Sequence, residues 1–151
     1  MMLDSLLQLD NAHAYTATAV STNVWDTSPA GSASSPNATR DLGAGEPLML
    51  SILITTTVTT NVTTVFSLES SANTSLTSAT VHWTGPSIAV ALLVAGYWYC
   101  KGLILPPGDY KRYVGIRMTP ATSWGAGAAS AWIHKGSYDT TAYAAGSYNT
   151  L

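Results

Sequence analysis

Charge is the scarcest property of this 151-residue chain. Only 9% of its residues are Asp, Glu, Lys or Arg, against about 25% in an ordinary soluble domain. Glutamate occurs at Glu46 and Glu69 alone, which excludes coiled coils and long Glu/Lys-rich helices. A net charge of −2 provides no concentrated basic surface for phosphates, so nucleic acid is not an expected partner. The single cysteine, Cys100, excludes an intrachain disulfide framework and a cysteine-based zinc site. Long apolar runs are missing too. Pro47 to Phe66 is uncharged but heavy in Thr, Ser and Asn, and Pro86 to Cys100 covers only 15 residues before Lys101. A spanning helix needs about 20 mostly apolar residues, so both stretches read as buried strands and no membrane partner is expected. The opening MMLDSLLQLD has no basic start and no extended apolar core, so no secretion leader is expected.

Hydroxyls stand where charge is missing. The chain holds 21 Thr and 17 Ser, about a quarter of its residues. It is still 46% hydrophobic, too apolar for a disordered chain. The few charges are uneven. Residues 1–99 carry Arg40 against six acidic groups, and residues 100–151 carry five basic groups against Asp109 and Asp139.

Strand signals dominate the middle of the chain. Residues 12–19 alternate in the strand manner, as does Thr22 to Trp25 more weakly. Residues 27–39, TSPAGSASSPNAT, read as a loop and 40–47 as a tight turn. Leu48 to Thr60 and Val62 to Glu69 are long β-segments rich in Ile, Val and Thr. Strands follow at Ala79 to Thr84, Ser87 to Val94, Tyr97 to Leu105, Tyr110 to Met118 and Ala126 to Lys135, with a Pro106-Pro107-Gly108-Asp109 turn between the third and fourth of these. The expected fold is all-β: an antiparallel sandwich of about eight strands over 11–135, a jelly roll or an immunoglobulin-like key. Residues 1–10 and 136–151 read as terminal arms.

No motif carries catalysis. His13, His82 and His134 lie on separate strands without converging carboxylates, and each is expected to face solvent or a subunit contact. Gly43-Ala44-Gly45 lacks the third glycine and the following helix of a dinucleotide loop. Lys111 to Arg117 mixes basic and aromatic residues as an RNA-binding strand does, but without a companion aromatic strand. No Gly-x-Ser-x-Gly is present, and Cys100 sits in an apolar strand where thiols are inert. Neither an enzyme nor a cofactor is expected. Five Trp and eight Tyr against one Phe favour side chains that meet a polar partner at one end. Exposed on a sandwich, Trp124 or Trp132 would suit a sugar or a receptor, which makes a carbohydrate- or receptor-binding module the alternative to a structural role. Alternation places Trp98 opposite Tyr97 and Tyr99, so that strand should show aromatics on both faces.

Several segments resemble one family. Met2-Leu3-Asp4-Ser5-Leu6-Leu7-Gln8, the Ala/Thr-rich Ala14 to Ser21, Arg40-Asp41-Leu42-Gly43-Ala44-Gly45-Glu46-Pro47-Leu48, and Leu105-Pro106-Pro107-Gly108 with Lys111-Arg112-Tyr113 are similar, in order and spacing, to the capsid cement (decoration) proteins of Bordetella-phage type. Residues 27–39 and the Thr-rich middle depart from the pattern. The resemblance implies a jelly roll without a catalytic site, on the outer surface of a tailed-phage head. Its implied partners are the major capsid protein and a second copy of itself, as a homodimer or, alternatively, a trimer. Position and composition select Leu3, Leu6 and Leu7 in the first arm and Tyr138, Tyr143 and Tyr148 in the second as capsid or subunit contacts. An apolar arm of this length has no stability of its own in water and needs a docking surface.

Overall fold

The computed structural model describes residues 7–28, 40–42, 47–60 and 62–135. They form strands almost throughout: β1 (Gln8–His13), β2 (Ala19–Val20), β3 (Trp25–Asp26), β4 (Arg40–Leu42), β5 (Leu48–Thr59), β6 (Thr63–Ser71), β7 (Thr80–Thr84), β8 (Ile88–Ala89), β9 (Trp98–Ile104), β10 (Gly108–Tyr110), β11 (Tyr113–Pro120) and β12 (Ala126–Lys135). Among the described residues no α-helix occurs, and no helix is long and apolar enough to cross a membrane.

The pairing scheme is that of a rolled antiparallel ribbon. β1 pairs with β12, β2 and β3 with β11, β5 with β9, and β6 with β7 and β8. Each early strand therefore lies against a late one. β12 then pairs with β5, and β11 with β6, which joins the ribbon's arms into two sheets. The first runs β1-β12-β5-β9, and the second β2/β3-β11-β6-β7/β8. Counting β2/β3 and β7/β8 as one strand position each gives four positions per sheet, eight in all. This is a jelly roll. A short ribbon of β4 with β10 lies beside them.

Alternation builds the core. In β5, Leu50, Ile52 and Ile54 point inward, and β12 answers with Ala129, Ala131 and Ile133. Phe66 and Leu68 of β6 and Val114, Ile116 and Met118 of β11 fill the facing side. The small β12 alanines leave room for the aromatics Tyr15, Phe66, Tyr99 and Trp124, which meet edge to face. Tyr99 links the sheets: its hydroxyl donates to the Pro86 carbonyl and accepts the Phe66 N–H at 3.1 Å. Gly85 makes room for it, since a Cβ there would stand 2.5 Å from that hydroxyl oxygen.

Some local expectations are corrected. The strand expected at 12–19 lies earlier, at Gln8–His13, and takes the last three residues of the segment read as an arm. Ala12 adopts φ 49° and donates its N–H to Ser130 Oγ, so β1 bulges and ends there. Arg40–Leu42, read as a turn, pairs in register with Gly108–Tyr110. Only Ile88–Ala89 of the strand expected at 87–94 is extended. A tight helical turn, Val90–Leu92, follows and tucks Leu93 fully into the core.

Candidate interaction surfaces

The outer face of the second sheet is closed by the chain's own β6–β7 loop. Gly115, between inward Val114 and Ile116, has no side chain, and Leu76, Ser21 and Val24 crowd the vacated space. Leu76 is 1% exposed. Beside it, Arg117 grips Glu69, its Nε donating to both carboxylate oxygens at 2.9 and 3.1 Å. A further Arg117 nitrogen donates to the Leu76 carbonyl at 2.9 Å. Ser67 Oγ adds a bond to Glu69. One ion pair thus anchors the loop to the sheet.

The outer face of the first sheet is aromatic. Trp98 of β9 and Trp132 of β12 stack with centroids 5.9 Å apart, and Lys101 Nζ lies 5.8 Å from the Trp98 ring. Met49 and Leu53 of β5 share this face by alternation. Tyr99 points to the core, so β9 does show aromatics on both faces. Ser51 sits among them fully buried, accepting the Gly102 N–H and bonding His134 Nε2 at 3.0 Å. The expectation that His134 faces solvent or a subunit contact is corrected, since the ring is buried within the chain itself. Alternation sets the face a side chain points to, not what covers that face. Trp124 is also unlike the expected exposed platform for a ligand: it is buried in the core, its indole N–H donating to Thr64 Oγ1 at 2.9 Å.

The buried polar groups tie the chain together. Asp10, fully buried, accepts hydrogen bonds from the Tyr15 hydroxyl, from the Thr22 N–H at 2.8 Å and from His13 Nδ1 at 3.0 Å. It thereby folds the segment after β1 back on itself. Burial, reinforced by the Asp10 charge and hydrogen bond, pushes the Tyr15 hydroxyl far above its ordinary pKa, so it stays a donor. Among the described residues no three of His, Cys, Asp and Glu converge as metal ligands would. Burial also raises the Cys100 thiol pKa, and its Sγ donates to the Leu50 carbonyl.

His82 gives a pH prediction. Its ring stacks on Tyr110 at 3.7 Å, and Nε2 meets Ser70 Oγ at 2.7 Å. Desolvation, then the nearby Lys111 charge, lower its pKa from 6.5. The unfolded chain therefore takes up this proton at higher pH than the native one. Stability from this group is complete above the unfolded pKa and declines as pH falls through it. Thermal melts between pH 7.5 and 5.5 should show a falling midpoint, with a shallower fall in His82→Gln; equal slopes would rule out His82 as the source.

Of the predicted contact residues, only Leu7 lies within the described part. It packs, partly buried, against the core. Leu3, Leu6, Tyr138, Tyr143 and Tyr148 lie outside it, as do Gly43, Ala44 and Gly45. Register nevertheless fixes where the terminal segments attach. Gln8 lies opposite Trp132, and Lys135 opposite Leu48. Gln8 and Lys135, where β1 begins and β12 ends, therefore lie at the same end of the sandwich, the end that also carries the β4–β10 ribbon and the Asp26–Arg112 ion pair.

This jelly roll can be set against known families. The family model Bbp16 matches residues 9–133. The chain belongs to the Bbp16 family. Bbp16 is a Bordetella-phage protein family, and the matched span runs from β1 into β12, taking in both sheets. No curated protein matches the chain. Membership is consistent with a phage protein. The Bbp16 match covers the strands that carry the Trp98–Trp132 pair, the Leu76 latch and the Asp10 cluster. The Trp pair follows from alternation in two expected strands; the latch rests on a loop leucine that no periodicity marks.

Proposed function

We propose that the protein is a structural component of the phage head. In this reading it is a cement protein that binds the outer surface of the shell and clamps neighbouring major capsid protein subunits, without catalysis or a cofactor. The observation that carries the reading is the shared exit point of the two terminal segments. A rigid eight-position jelly roll presents both from one end, so one molecule can engage a surface with two strands of chain at once. Linked contacts of this kind raise occupancy well beyond either contact alone. Membership of a phage family supplies the setting, and Leu3 and Leu6, with Tyr138, Tyr143 and Tyr148, supply the groups that such contacts use.

The test is reconstitution on shells that lack the protein. Deletions must spare the fold, so they remove residues 1–6 or 136–151 and leave Leu9, which is fully buried. The full chain should bind saturably, and each deletion should weaken binding by about tenfold or more, equivalent to ~1.4 kcal/mol. Undiminished occupancy for both deletions would refute the arm contacts; no binding by the full chain would refute the role itself.

A further inference from the structure

We propose that His82 is a proton-sensitive latch: neutral, it holds the β4–β10 ribbon against the second sheet, and protonated, it lets the ribbon open. The ribbon depends on what it rests against. Among the described residues β4 and β10 pair only with each other, over three residues each, and a lone two-stranded ribbon is marginal in water. Its seat on the second sheet is made by the Tyr110 ring, fully buried, and by the Lys111 backbone that follows it. Both meet the surroundings of His82.

A bulge puts His82 there. Leu68 lies opposite Trp83 and Glu69 opposite Val81, so His82 is the extra residue of β7, and a bulge of this kind re-aims the side chain it carries. The imidazole stacks on the Tyr110 ring with centroids 3.7 Å apart and planes 16° from parallel. At its edge, Nε2 meets Ser70 Oγ at 2.7 Å. Ser70 is fully buried, and its oxygen also accepts the Lys111 N–H at 2.9 Å. One hydroxyl thus joins β6, β7 and the β10–β11 connection. A hydroxyl has a single proton to donate. With the Lys111 N–H already donating to the oxygen, that proton goes to Nε2, which must then carry none of its own.

Protonating His82 reverses the bond. Nε2 becomes a donor, the buried Ser70 proton loses its acceptor, and a positive ring lies near Lys111, whose Nζ is held at the Ser78 carbonyl. The acidic groups around it are engaged or turned away. Glu69 is gripped by Arg117, Asp26 is paired with Arg112, and Asp109 lies on the exposed side of β10, with Asp41 opposite it and Arg40 opposite Tyr110 in register. Burial and the Lys111 charge accordingly lower the His82 pKa from 6.5. Opening returns the ring to water and its ordinary pKa, so the open form binds this proton at higher pH, and acid favours it. The ribbon lies at the end of the sandwich where β1 begins and β12 ends. If that end meets the shell, mild acid loosens the contact. This consequence rests on the proposed function; the latch does not, and its test needs no shell.

The test is amide hydrogen exchange by NMR on the full chain, corrected for the chemical exchange rate at each pH. The amides of Lys111, β4 and β10 should exchange through a local opening, faster than those of β6 and β11 and with little response to low urea. Their protection should fall by about tenfold between pH 7.5 and 5.5, the span over which a released histidine takes up its proton. His82→Gln keeps an acceptor for Ser70 without titrating, and should abolish that fall. Ser70→Ala cuts the link to both partners and should open the ribbon at either pH. Ribbon protection that ignores pH in the wild-type chain, or a fall that persists in His82→Gln, would overturn the proposal. So would ribbon amides that exchange only in step with β6 and β11, which would make His82 a contributor to overall stability and not a latch.

Discussion

Arg117→Ala should destabilise the protein by about 3–5 kcal/mol, the range for breaking a buried ion pair by removing one partner. Glu69, 4% exposed, would keep its charge beneath the β6–β7 loop with only Ser67 Oγ bonded to it. The Leu76 carbonyl would lose its donor in the same step. Since domains hold only about 5–15 kcal/mol in total, urea melts should show a large drop in midpoint. The partial exposure of Arg117, about 30%, places the expected loss at the lower end of that range. Removing both charges separates pairing from packing. Glu69→Gln with Arg117→Met should recover much of the loss, because no isolated ion stays buried. A double variant as unstable as Arg117→Ala would mean that the guanidinium acts mainly by filling space.

Trp124→Ala should cost about 3–5 kcal/mol, as for other large-to-small changes at buried aromatics. The indole is 3% exposed and packs against Tyr15, and its N–H satisfies Thr64 Oγ1. Its Cε3 and Cζ3 lie where Gly127 leaves space, 2.6 and 3.0 Å from a hypothetical Cβ, so Gly127 has no side chain with which to fill the cavity. Trp124→Phe keeps most of the ring and loses the hydrogen bond, and should cost distinctly less. A loss under ~1 kcal/mol for the alanine variant would contradict burial of Trp124 and reopen its reading as a ligand platform.

The sandwich was largely legible in the residues, because β5 and β6 are long segments rich in Ile, Val and Thr, β11 alternates, and Gly and Pro punctuate the chain between strands. The turn expected at Pro106-Pro107-Gly108-Asp109 was legible only as a break after β9, since Gly108 and Asp109 pair with Leu42 and Asp41 in β10. Tertiary facts were less so. Nothing in Ala79 to Thr84 says which strand it joins, and the boundary of β1 depends on a bond from Ala12 to Ser130. Val90–Leu92 has strand-like composition, yet the need to bury Leu93 turns it into a helical turn. Leu76 and Gly115 are far apart in sequence and read singly as loop residues. Only the pairing of β6 with β11 brings one under the other.

The reading as a shell-binding head protein is tested most directly on purified particles. Their protein content should include a 15.8 kDa chain at a fixed, high ratio to the major shell protein, removed when the head surface is stripped and restored when the purified chain is added back. Particles that are complete and infectious without that chain, or that carry it only in a few copies at the tail, would contradict it.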